Sequence, residues 1–240
     1  FPTRRSSDLK PLVVLGARQV GKTYSLLAFG KQYYKHVAYI NCDENEQAKS
    51  LFAQDFNMER VLLAISAITK VPVVPEDTLI ILDEIQELRR GLNSLKYFCE
   101  NAPEYHVCVA GSLLGITLQH GTSFPVGKVD IIKMYPMTFS EFLIARGQDM
   151  IAELLKRKDW YTLTTLHPTL VQMLREYYLV GGMPEVVNNY LKTNDPNNIR
   201  RVQNKILLAY RNDIAKHTTN EEAKRIGIVW RSMPSQLSKE

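Results

Sequence analysis

Cysteine is scarce in this chain: three residues, Cys42, Cys99 and Cys108, widely spaced and without a C-x-x-C pair. An odd, scattered set excludes a disulfide framework and points to free thiols in a reducing compartment, read here as the cytoplasm. The five histidines are scattered as well and offer no metal-ligand spacing. No apolar run approaches the length of a membrane span, and the longest candidate, Val61 to Thr69, stops at Lys70. No membrane contact is expected. The basic start before Leu12–Leu15 does not make a secretory signal, because the apolar run is too short and Arg18 interrupts it. Repeats and low-complexity stretches are missing too. What remains is globular: 45% hydrophobic and 23% charged residues, enough for one large domain or a domain plus a smaller one.

The first nine residues, Phe1 to Leu9, read as a translated sequencing-library adapter. The adapter end TTC CCT ACA CGA CGC TCT TCC GAT CT encodes them in frame, and any base completes the leucine. Residues 1–9 are therefore expected to be an artefact, with the natural chain starting upstream. The competing reading is a genuine basic, Ser-rich arm. This segment carries +1 of the net +5, and Asp195 to Glu240 carries +4, so Lys10 to Asn194 is neutral. The C-terminal basic excess suits an acidic partner such as DNA. A solvated helix face accounts for it as well or better.

Strands and helices alternate through the first half. Leu12–Leu15, His36–Asn41, Thr78–Asp83, Val107–Ala110 and Val129–Met134 read as short strands. Tyr24 to Phe29 reads as helical. Met58, Val61, Leu62, Ile65 and Ile68 recur at helical spacing, and Leu88, Leu92, Leu95 and Phe98 mark another helix face. The pattern predicts a three-layer α/β fold with a mostly parallel sheet. Near Pro136 it changes. Thr138 to Glu141 has capping-box spacing, and helical stripes follow: Leu170, Met173, Leu174, Tyr177 and Tyr178, then Ile199, Val202, Ile206, Leu207, Tyr210 and Ile214. Val180 to Glu185, with two glycines and a proline, should break this helical region in two.

Between the first strand and its helix lies Gly16-Ala17-Arg18-Gln19-Val20-Gly21-Lys22-Thr23, matching G-x-x-x-x-G-K-[ST]. In that setting the two glycines let the backbone turn its N–H groups inward, and the helix dipole adds positive potential for phosphate oxygens. Lys22 would reach the β and γ phosphates, and the Thr23 hydroxyl would ligate Mg²⁺. A second element sits at the end of an apolar strand: Asp83 and Glu84. Carboxylates there suit Mg²⁺ for Asp83 and a water-activating base for Glu84. Ser112, after the next strand, reads either as a γ-phosphate sensor or as a helix N-cap. About 60 residues separate Lys22 from Asp83 with a strand-like segment between them. That suits the P-loop division with an added catalytic glutamate, in which another strand intervenes. The one Asn-Lys pair, Asn204-Lys205, lacks the aspartate a GTPase needs.

Together these residues resemble the AAA-type ATPases of bacteria and archaea that carry a C-terminal domain of unknown function. The matching pieces are Gly16 to Thr23, Leu82 to Gln86, Ala110 to Ser112, Tyr135 to Phe142, Gly181 to Glu185 and Arg211 to Ile214. The resemblance implies ATP and Mg²⁺ as ligands, an ATPase core over 10–145, a helical lid over 146–217, and the start of a truncated, winged-helix-like C-terminal domain over 218–240. It carries nucleotide binding to Gly16 through Thr23, the metal to Thr23 and Asp83, the water to Glu84 and the sensor to Ser112. One departure stands out. Family members often show Gly-Arg before the fifth strand, and this chain has Gly127-Lys128. An arginine acting across a homo-oligomer interface is then left to Arg89, Arg90 or Lys128, and lysine lacks the planar fork. Two functions stay open: Mg²⁺-dependent ATP hydrolysis coupled to conformational change, or a nucleotide-gated binding module with little hydrolysis, DNA-associated in a third version.

Overall fold

The computed structural model describes residues 9–112, 125 and 127–237. It divides between Tyr135 and Pro136 into two compact units. The first contains a five-stranded, all-parallel sheet in the order β2-β3-β4-β1-β5. Its strands are β1 (Leu12–Leu15), β2 (His36–Asn41), β3 (Thr78–Asp83), β4 (His106–Gly111) and β5 (Asp130–Lys133). Between them run α1 (Lys22–Tyr33), α2 (Glu46–Ala53), α3 (Met58–Thr69) and α4 (Gly91–Asn101).

Side-chain alternation along β3 builds the layers. Leu79 and Ile81 turn to one face and pack with Val14, Cys108 and Leu26 of α1. Ile80 and Leu82 turn to the other and pack with Val61 and Ile65 of α3 and Leu95 and Phe98 of α4. A strand buried on both faces is the expected fate of an unbroken apolar run in a parallel sheet. Helix α2 was not foreseen, since its sequence is short and mixed; Asn45 starts it by accepting from the Ala48 N–H at 2.8 Å.

The strand order settles which strand intervenes. The segment between P-loop and acidic pair in the sequence, β2, lies at the sheet edge, whereas β4 separates β1 from β3 in space. The last residue of β4, Gly111, pairs with Leu15, and Ala110 pairs with Asp83. The residue that follows, Ser112, therefore emerges between the two motifs.

The second unit is helical: α5 (Phe139–Ala145), α6 (Asp149–Arg157), α7 (Trp160–Thr165), α8 (His167–Val180), α9 (Pro184–Thr193), α10 (Pro196–His217) and α11 (Asn220–Leu237). The capping box at Thr138 forms as expected, with the Thr138 N–H donating to Glu141 at 2.7 Å and Thr138 Oγ1 accepting from the Glu141 N–H at 3.3 Å. The helical region breaks between Val180 and Pro184. There the Met137 N–H donates to the Gly182 carbonyl at 2.7 Å, and a Cβ on Gly182 would lie 2.2 Å from the Met137 oxygen. Two stripe residues are corrected: Tyr178 is 74% and Leu207 42% exposed. Val180, Val186, Val187, Ile199, Val202 and Ile206 gather instead around Phe142. A stripe drawn on one helix cannot say which of its flanks a neighbour covers.

Candidate functional site at the carboxyl ends of the strands

Gly16 sits at the exit of β1 with φ 154°, and a Cβ there would lie 2.3 Å from the Met134 carbonyl oxygen. Gly21, at φ 98°, takes the left-handed turn into α1. Both positions require glycine, one for close backbone approach and one for conformation. Ala17 and Arg18 are exposed, Gln19 is half-buried at φ 65°, and Val20 is buried beneath the loop. The octapeptide is thus a tight turn feeding the positive end of a helix.

Lys22 is 6% exposed. Its ammonium donates to the carbonyls of Gly16 at 2.9 Å and Ala17 at 2.8 Å. Burial lowers its pKa from the ordinary lysine value, the Glu84 and Asp83 carboxylates pull it back up, and Arg18 adds a small lowering. The lysine therefore shares its surroundings with both acids. Thr23 Oγ1 donates to Asp83 Oδ2 at 2.6 Å. A hydroxyl and a carboxylate so placed are hard oxygen donors of the kind Mg²⁺ takes from protein, leaving other positions for phosphate and water. Among the described residues no cluster of three or more His, Cys, Asp or Glu side chains is placed to hold a metal ion.

Glu84 adopts φ 51°, left-handed backbone that a glutamate rarely enters. The twist turns its side chain toward Ser112. The Ser112 N–H donates to Glu84 Oε2 at 3.1 Å and the Ser112 hydroxyl to the same oxygen at 3.2 Å. Gln86 Nε2 also donates to Oε2, at 2.6 Å. Ser112 thus meets the acid directly, while the helix it was alternatively read to cap lies outside the described residues.

Two further residues belong to this cluster, and the sequence by itself marks neither as part of the site. Tyr39, on the edge strand, donates from its hydroxyl to Asp83 Oδ2 at 3.3 Å; burial first, then the Asp83 carboxylate, pushes its pKa up to about 12. Gln86 lies inside the Leu82 to Gln86 motif, and its part in the site shows only in its contact with Glu84. Only the pairing of β2 with β3, Asn41 opposite Asp83, brings Tyr39 within reach. Of the three arginine-finger candidates, Arg90 lies over the Phe56 ring at 4.6 Å and donates to the Gln54 carbonyl. Lys128 is paired with Glu100 at 2.9 Å. Arg89 is exposed.

Residues 8–143 match an AAA domain family, AAA_14. Residues 171–240 match a domain of unknown function, DUF8612. Comparison with curated proteins gives no match. Among solved structures, the chain is similar to the Walker-type ATPase PABY2304 of Pyrococcus abyssi, with TM-score 0.52 and 18% identity over 89% of this chain and 73% of that one. A likeness at that identity concerns the fold. A weaker one, TM-score 0.35 and 15% identity over 85% of this chain and 64% of the other, is to a Drosophila ORC bound to DNA.

Proposed function

The chain belongs to the AAA domain family, and from that premise we propose that it is an ATPase, binding ATP with Mg²⁺ and hydrolysing it to ADP and phosphate, with the turnover coupled to conformational change in a helical lid over residues 146–217. One observation carries the reading: Lys22, Thr23, Asp83, Glu84 and Ser112, drawn from three strand ends, share one cluster of contacts. The amides of Gly16 through Thr23 and the start of α1 hold phosphate oxygens. Lys22 exchanges its two carbonyl acceptors for the β and γ phosphates. Thr23 and Asp83 hold Mg²⁺, which when bound neutralises charge gathering on the phosphate oxygens. Glu84 takes the proton of the attacking water, and Ser112 reports the γ-phosphate to it. Three cysteines without disulfide partners suit the cytoplasm.

ATP titration with phosphate-release kinetics tests this. Lys22→Ala is expected to abolish nucleotide binding, and Glu84→Gln to keep binding while losing turnover. Unchanged ATP affinity in the first variant, or unchanged turnover in the second, overturns the assignment.

The second reading, a nucleotide-gated module with little intrinsic hydrolysis, is favoured by one feature. Glu84 Oε2 already accepts from Gln86 and twice from Ser112, so that oxygen is occupied. Fast turnover by the chain alone would refute it. Beyond ATP, we propose nucleic acid as a partner of the basic segment after Asp195. A second copy of the chain would receive Arg89, which is exposed.

A further inference from the structure

The hairpin of α10 and α11 borders a cavity of about 630 Å³. Its lining is Arg211 and Ile214 from α10, with Ala223, Lys224, Gly227, Trp230 and Arg231 from α11. Three of these are cations, and among the described residues none of the three has a hydrogen-bond or ion-pair partner. The acids of the hairpin, Asp213, Glu221 and Glu222, do not line the cavity; Glu222 accepts from the Thr219 N–H and hydroxyl at 3.0 and 2.9 Å. Trp230 is half-buried and stacks on Tyr210 at 6.0 Å with 27° between the rings, so its indole is held by the opposite helix while it lines the space.

The floor is kept open. Ala223, Gly227 and Trp230 follow one another at helical spacing, and a Cβ on Gly227 would meet nothing within 4 Å. Glycine inside a helix costs stability relative to alanine, and here nothing steric requires it. The small side chain leaves room beside an aromatic face, under a rim of positive charge. That combination is how proteins hold single-stranded nucleic acid: a base stacks on the ring and the backbone tracks the cations. Duplex DNA keeps its bases stacked and offers no free base to a recessed indole.

We propose that this cavity binds single-stranded nucleic acid, one base against Trp230 and neighbouring phosphates on Arg211, Lys224 and Arg231. The proposal rests on the nucleic-acid reading of the C-terminal segment and is independent of the ATP site.

The test uses the full 240-residue chain with Trp160→Phe, which leaves Trp230 as the fluorophore. The probes are a fifteen-residue oligothymidylate, thymidine monophosphate and a duplex of the same length. The oligothymidylate is expected to quench Trp230. With three phosphates neutralised, affinity should fall about 20-fold between 50 and 200 mM salt. Gly227→Leu should obstruct the floor beside Trp230 and weaken binding at least about tenfold while helical circular dichroism is retained. Arg211→Gln with Lys224→Gln, two exposed changes, should flatten the salt dependence. Lys22→Ala should leave all of this unchanged. Binding that ignores both the Gly227 and the Arg211/Lys224 variants overturns the site while keeping the nucleic-acid reading. Equal affinity for the duplex or for thymidine monophosphate overturns the strand assignment. No binding of any probe overturns site and reading together.

Discussion

The side-chain amide of Gln86 donates to the Glu84 carboxylate at 2.6 Å, two residues along a backbone twisted into left-handed φ at Glu84. The contact occupies the same carboxylate oxygen that accepts from Ser112. Removing it should leave that oxygen freer to meet the attacking water. We expect Gln86→Ala to raise kcat about fivefold, the worth of roughly 1 kcal/mol of hydrogen bond, with ATP affinity unchanged. Steady-state phosphate release measures both, and a fall in kcat would mean that Gln86 holds Glu84 in its working position.

The contact between Thr23 and Asp83 ties the metal reading to two side chains. Asp83→Asn should abolish the gain in ATP affinity that Mg²⁺ brings. Tyr39→Phe, which removes only a donor at 3.3 Å, should change it by about threefold or less. Calorimetric titration of ATP with and without Mg²⁺ separates these outcomes; a full Mg²⁺ effect in Asp83→Asn would move the metal elsewhere.

Burial holds the Lys22 pKa below the ordinary lysine value. A lowered pKa in the folded protein means that the charged lysine is disfavoured there relative to the unfolded chain. That penalty is present below the folded pKa and is relieved as pH rises through it toward the unfolded value. The same deprotonation removes the charge needed for phosphate. ATP affinity should therefore decline on the alkaline side at a pH below that of a free lysine. Nucleotide affinity measured between pH 7 and 10.5 checks this, and a flat profile would contradict it.

Cys42 and Cys108 are buried, and burial pushes both thiols up to about 12. Cys99 is partly exposed. At pH 8 iodoacetamide should label Cys99 in the native protein, and Cys42 and Cys108 only after unfolding, because the thiolate is the reacting form. Mass spectrometry of the labelled peptides reads the result; rapid native labelling of Cys108 would mean that β4 is open to solvent.

Gly182 locks the break between α8 and α9 against Met137. Gly182→Ala should destabilise the helical unit by about 2 kcal/mol or more, since the new methyl meets a backbone oxygen that cannot swing away. Denaturant unfolding followed by circular dichroism measures it, and a shift under about 0.5 kcal/mol, the range of a neutral surface change, would contradict the close approach.

The sequence alone determined the local chemistry. A glycine-bracketed turn ending in Lys22-Thr23, an apolar strand ending in Asp83-Glu84, and a capping box at Thr138 are each set by neighbours within eight residues, so their physics is visible in the string. Apolar runs of four to six residues likewise announced the strands. Tertiary structure decided what those pieces meet. The sheet order put β4 between the motifs and so brought Ser112 onto Glu84; register between β2 and β3 delivered Tyr39 to Asp83; packing around Phe142 chose Val180 over Tyr178. Each of these joins residues tens of positions apart, and periodicity along one element holds no information about the partner that will cover it.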